Sequence, residues 1–191
     1  MPITENDRSL IYTLDELENE LRQAEIITGL IQYEYDPVSE DTSSIPHTFA
    51  VVASQDCDLL RDYENRSEGK APALNGVLIY EAQSASVSKA AIPAGSSWSK
   101  ITQNSDSRFH FFEKIPDYSD LAGAGLPALV VDFRKFFCIP SSEILRQCAT
   151  QGNAKRRCRL DMPYREHFQS RLCHYMQRVM LPKAHDPTIL D

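Results

Sequence analysis

The chain has 191 residues, an apolar fraction of 42% and a formal net charge of −7. Its length suits one domain with one core. No apolar run approaches the roughly 18 residues that cross a bilayer, and residues 1–10 lack the basic start and apolar stretch of a secretory leader. Cys57, Cys138, Cys148, Cys158 and Cys173 are odd in number and contain no CxxC pair. They argue against a disulfide framework and a zinc knuckle, and point to a reducing cytoplasm.

The charge is unevenly placed. Residues 1–64 hold 15 acidic side chains against three basic, whereas residues 146–178 hold eight basic against two acidic. The acidic total speaks against general nucleic-acid binding. The basic segment is either a local phosphate-binding surface or the electrostatic counterpart of the acidic third, within the fold or across a dimer.

In chain order, Thr13 with Glu16 three residues on matches a capping box, and Leu14, Leu17 and Leu21 give a short acidic helix one apolar face. Glu25–Asp36, EIITGLIQYEYD, alternates and is rich in β-branched and aromatic residues, the pattern of a strand; Gly29 inside it marks a bulge or close backbone approach. Residues 37–46 read as a polar loop bounded by prolines. A strand over residues 47–53 follows and runs into Ser54, Asp56, Cys57 and Asp58, a strand-end turn. Residues 61–76 form a charged excursion ending in an Asn-Gly turn. Val77–Ser84 is a third strand, residues 85–100 a short helix or loop, and residues 107–116 an aromatic strand. Residues 117–125 are a loop of small residues. Residues 126–140 hold a buried strand and its return, Ser141–Cys148 a short helix, and residues 151–163 a basic linker. The last element is a helix with Asp161 as N-cap, Pro163 in its first turn and Pro182 as its stop. Its apolar stripe is Tyr164, Phe168, Leu172, Tyr175/Met176 and Val179.

This order of helix, run of short strands and helix predicts an α+β fold. The expected form is a small, mostly antiparallel SH3-like β-barrel with a short N-terminal helix and a packed C-terminal helix. The divisions are a helical extension over residues 1–24, a barrel over 25–160, a helix over 161–182 and a loose tail over 183–191, within one domain.

TGLIQYEY, FAVVASQD, GVLIYEAQS, LPALVVDFRKFF and RRCRLDMPYREHFQSRL, in that order, resemble the PemK/MazF family. These are small barrel proteins known as endoribonuclease toxins of bacterial toxin–antitoxin systems. Ser54 and Asp56 stand where the family ends its second strand in a Ser-x-Asp sequence. The family's ribonucleases carry a basic residue and proline before that strand, where this chain has Pro46, His47 and Thr48. Ser84 is the available substitute for the Thr or Ser that closes their third strand. The resemblance thus implies a divergent, non-catalytic, macromolecule-binding module of a bacterial stress-response or defence system. The alternative is a metal-independent endoribonuclease cutting single-stranded RNA, with His47, Ser84 and Arg108 (or His110) as its general acid–base pair and cation.

Several constellations carry a chemical reading beside a structural one. Cys57 between Asp56 and Asp58 is a poor nucleophile, because flanking carboxylates oppose a thiolate; Cys57 packs inward while Asp56 and Asp58 satisfy turn amides or cap the next short helix, or the trio touches a ligand or partner. Asp56, Asp58 and Asp62 have carboxylate spacing without the glycine and glutamate of a calcium loop. His167 and His174 lie two helical turns apart, too far to share a metal by themselves. No metal and no cofactor is expected. Lys155, Arg156, Arg157 and Arg159 are candidate phosphate or partner contacts, joining Ser54, Asp56, Cys57 and Asp58 as binding candidates. A protein is the expected partner, with RNA second, no membrane, and a homodimer as a further option.

Overall fold

The computed structural model describes residues 11–15, 17, 19–92, 97–149 and 152–177. Its strands are β1 (Tyr12–Thr13), β2 (Glu25–Asp36), β3 (Asp41–Val52), β4 (Val77–Ser84), β5 (Phe109–Phe112), β6 (Leu129–Ile139) and β7 (Lys155–Leu160). Its helices are α1 (Asp56–Ser67), α2 (Ala85–Ala90), α3 (Trp98–Thr102), α4 (Ser141–Cys148) and α5 (Tyr164–Met176). The seven strands form one antiparallel sheet in the order β1-β7-β2-β3-β4-β6-β5. The protein is therefore α+β, built on an antiparallel sheet curled into a half-barrel.

The curl follows from where the apolar residues point. Each of β2, β3, β4, β6 and β7 sends residues into one core, which also takes Tyr12 from β1 and Phe112 from β5, the two ends of the sheet. The Tyr12 hydroxyl donates to the Glu113 carbonyl at 2.7 Å, linking those ends. Phe168 and Leu172 of α5 fill the concave side, as the apolar stripe predicts. Tyr80, Phe112, Phe133 and Phe168 are fully buried there, and Phe168 meets Phe112 and Phe133 at centroid distances of 5.7 and 6.1 Å. On the outer face Leu59 of α1 and Ile144 of α4 cover Ile27, Leu30, Ala50, Val52, Ile79 and Phe137.

Several elements differ from the sequence reading. Among the described residues of 11–24 none is helical. Tyr12–Thr13 pairs instead with Leu160 and Arg159 on the edge of β7, and the Thr13 hydroxyl accepts the Asp15 N–H in a local turn. Residues 41–46 are not loop but the first half of β3, paired with β2 out to Asp36↔Asp41. Pro46 is tolerated because its partner Ile31 directs both backbone groups away from β3. They exchange hydrogen bonds of 2.8 Å with the Gln147 side-chain amide, so no ladder bond to Pro46 is missing.

The SQDCD stretch is a strand-end bend only at Ser54 and Gln55: Asp56 opens α1, which takes up much of the charged excursion. β6 is one strand with no return. Between Tyr80↔Phe136 and Ala82↔Val131 it inserts a bulge. The basic linker is β7, held between β1 and β2. Asp161 does not cap α5; its carboxylate accepts the Met162 N–H at 2.8 Å, ahead of the helix. Met176 is exposed, and Val179, Pro182 and the tail lie outside the described residues.

Gly29 behaves as its place in the strand suggests. Ile27 and Leu30, three apart, enter the same core, which strict alternation forbids. Gly29 takes the left-handed φ of +74° between them, and an added Cβ would lie 2.7 Å from the Asn153 carbonyl oxygen.

Candidate functional site: the projecting hairpin and the outer-face cleft

The basic stretch is turned inward. Arg157 donates to both carboxylate oxygens of Asp120 at 2.7 and 2.5 Å, and these side chains are 10% and 0% exposed. That fork holds the Asp120 carboxyl at about 2, against opposition from burial and with help from the Ala122 and Ala124 amides. Arg156 makes a two-pronged pair with buried Glu25 and donates to the Glu20 carbonyl. Burial nevertheless outweighs Arg156 and leaves the Glu25 carboxyl above its ordinary range. Arg159 donates to the Asp15 carbonyl at 3.0 Å. Lys155 alone of these four is exposed. The charge asymmetry of the sequence is thus answered in part within the fold, where Arg156 of β7 meets Glu25 of the acidic N-terminal third.

Ser54, Asp56, Cys57 and Asp58 serve separate contacts. The Ser54 hydroxyl accepts the Leu78 N–H at 2.9 Å, extending the β3–β4 ladder by a side chain. Asp56 accepts the Gln23 N–H and an Arg165 guanidinium N–H, both at 2.6 Å, and so clasps the N-terminal segment, α1 and α5 together. Cys57 does not pack inward: it and Asp58 are exposed on the first turn of α1. Asp62 is buried and accepts from Ser141, the Leu74 N–H and Arg66. Burial raises its pKa, but these donors together hold it below the ordinary carboxylate range. Among the described residues no three His, Cys, Asp or Glu side chains converge as a metal-holding group.

His47, Ser84 and Arg108 make separate contacts. His47 is buried, stacks on Phe137 with centroids 4.0 Å apart, and meets Gln32 Oε1 at 3.2 Å. Its burial lowers its pKa against the pull of Glu81 and Glu34. The Ser84 hydroxyl lies 3.1 Å from that of Ser86. Arg108 forks onto Asp132 and lies over the Phe109 ring. Among the described residues no hydrogen bond joins any two of the three. His110 sits behind Arg108 in the concave core, 5.0 Å from Phe168 between ring centroids, and its Nδ1 has no hydrogen-bond partner. Burial, with Arg171 and His167 nearby, holds His110 well below the ordinary histidine value.

Arg108 and Asp132 do help to line a small cleft of about 100 Å³ on the outer face. The β6 bulge builds its rim: two residues of β4 step past five of β6, and Lys135 comes within 3.9 Å of Glu81 while Asp132 faces Arg108. Val130, Phe109 and Ile101 make its floor. The cleft holds a few waters or a very small ligand, and its arginine is already engaged by Asp132.

The far half of the β2–β3 hairpin is an open feature of another kind. The two strands pair for their whole length, but β7 pairs with β2 only as far as Thr28, and β4 pairs with β3 only from Phe49. From Ile31 to Asp36 the ribbon therefore projects about 20 Å at strand rise. Tyr33, Tyr35 and Val38 are 52%, 63% and 91% exposed. Alternation predicts one buried face for a strand such as β2, and that no element among the described residues covers it out here was not readable from the pattern alone.

No protein-family model, no curated protein and no solved structure matches this chain. Among the described residues no helix is long and apolar enough to cross a membrane. Fold and surface define the class: an α+β half-barrel that displays a long, aromatic, acidic hairpin.

Proposed function

We propose that this chain is a non-catalytic macromolecule-binding module, a divergent SH3-like barrel of the PemK/MazF kind serving a bacterial stress-response or defence system, and that its partner is a protein. The projecting hairpin carries the reading. A two-stranded ribbon gains little stability by itself, and exposed tyrosines on such a ribbon are typical anchors of protein interfaces. The inward pairing of Arg156 and Arg157 supports a protein over RNA, since cations paired with buried carboxylates do not neutralise phosphates. The separate contacts of His47, Ser84 and Arg108 favour binding over strand scission, which needs acid, base and cation around one phosphate.

The test is a gel assay of purified protein with mixed single-stranded and structured RNA, with and without EDTA. Intact RNA in both lanes is expected. EDTA-insensitive cleavage, abolished in His47→Ala or Ser84→Ala, would establish the ribonuclease instead.

A further inference from the structure

We infer that the partner, on the reading of the chain as a protein-binding module, presents an extended cationic segment that adds as a strand to the outer edge of β3 beside Thr42 and Ser44. Three features of the hairpin define this occupant: its open edge, its aromatic face and its charge.

The edge follows from the hydrogen-bond pattern. Ile31 bonds outward to Gln147, which makes Ile31↔Pro46 a non-hydrogen-bonded pair. Antiparallel pairs alternate, so Tyr33↔Ser44 and Tyr35↔Thr42 are also non-hydrogen-bonded. The N–H and C=O groups of Thr42 and Ser44 therefore point away from β2, on the side where β4 pairs only from Phe49. On β2 the equivalent edge runs beside α4, whose Gln147 occupies the Ile31 backbone and whose Arg146 lies against Tyr33. Beside Thr42 and Ser44 no described strand other than β2 pairs with β3, which leaves that edge to a newcomer.

The same pairing places Tyr33, Tyr35, Thr42 and Ser44 on one face. Small hydroxyl residues stand opposite both rings, so the rings are not covered from within the ribbon, and both are more than half exposed. A strand added beside β3 extends that face and offers side chains to it at every second position.

Charge selects the sign. No lysine or arginine occurs between Arg22 and Arg61, whereas Glu34, Asp36, Glu40 and Asp41 all fall on the hairpin. Glu34 and Asp36 pair with Ser43 and Asp41, so the ribbon itself holds no cation; Arg146 of α4 reaches Tyr33 at its base but is forked onto Glu143. A second copy of the hairpin along this edge would bring carboxylates against carboxylates, which is destabilising. A lysine- or arginine-rich segment meets the same field favourably and is steered by it.

The test is selection of a phage-displayed random dodecapeptide library on the full-chain protein, with counter-selection on Tyr33→Ser/Tyr35→Ser. Recovered peptides are expected to carry excess Lys and Arg. Their affinity should fall about tenfold or more in the tyrosine variant, in Glu34→Gln/Asp36→Asn/Asp41→Asn, and when salt is raised several-fold. Circular dichroism should match the parent for both variants, because the substituted side chains are exposed. N-methylation of the best peptide at one set of alternate residues should abolish binding, and at the other set leave it intact, the signature of strand addition. Recovery of no peptides, of peptides without positive charge, or of peptides that bind both variants unchanged overturns this inference; so does equal sensitivity to methylation at either set. Peptides that bind both variants would still leave the chain a protein-binding module. Only RNA cleavage would remove that reading.

Discussion

Replacing Arg157 by methionine tests whether the basic stretch is structural. Methionine keeps the length of the apolar stem but removes the fork onto Asp120, whose side chain is fully buried. Removing one partner of a buried ion pair costs about 3–5 kcal/mol, because a charge is left uncompensated. Asp120 keeps the Ala122, Ala124 and Gly125 amides at 3.1, 3.1 and 2.9 Å, which places the expected loss near the lower bound, about 3 kcal/mol. The lowered Asp120 pKa gives a second route. A carboxyl held at about 2 rather than 3.8 contributes about 2 kcal/mol at neutral pH. Because the folded value is depressed, that contribution is complete well above pH 4 and is lost as pH falls toward 2. Equilibrium urea unfolding at pH 7 and pH 3 should show a deficit of about 3 kcal/mol in the variant at pH 7, narrowing by about 1 kcal/mol at pH 3. A deficit below about 1 kcal/mol at pH 7, or an identical deficit at both pH values, would refute the structural account of this arginine.

Three further outcomes are expected. Buried His110, and to a smaller degree His47 and His167, have folded pKa values below the ordinary histidine value, so their contribution is present above about pH 6.5 and is lost as pH falls. His110→Phe should flatten that acid-side loss in thermal melts between pH 7 and pH 5, and an unchanged slope would assign it to other groups. Gly29→Ala should cost about 2 kcal/mol by chemical denaturation. Gly69→Ala, at φ +71° but with nothing within 4 Å of an added Cβ, should cost about 1; equal costs would show that the close approach to Asn153 is relieved freely. Gln147→Leu removes both side-chain bonds to Ile31 and should lower stability by about 1–3 kcal/mol, with faster hydrogen exchange at the Ile31 amide. Unchanged exchange there would mean that water replaces the glutamine without loss.

Local pattern was enough for some elements and not for others. β2, β4 and α4 run over the residues that alternation, β-branched content and the Ser-Ser-Glu start indicate. The face of α5 was also legible, since Phe168 and Leu172 recur at helical spacing and are buried. The twelve-residue extent of α1 was missed because it is a polar helix whose buried residues are Leu59 and Asp62, too few to set a period. β7 was missed for a more instructive reason. Four cations in five residues look like a solvated linker when read locally. Their carboxylate partners, Asp120 and Glu25, lie 37 and 131 residues away, and only the sheet order brings them alongside.

The sequence by itself determined the class of the fold, most of the strands that line the core and the location of the charge, because these depend on periodicity and composition within short windows. Tertiary structure alone decided which charges remain available. Pairing β7 between β1 and β2 turned the basic segment inward against Glu25 and Asp120. Early termination of β4 and β7 pairing left the acidic, tyrosine-bearing end of the β2–β3 hairpin in solvent. An ion pair formed across the sheet and an edge left open by its neighbours are both properties of register between distant strands, and no local stretch of sequence contains that register.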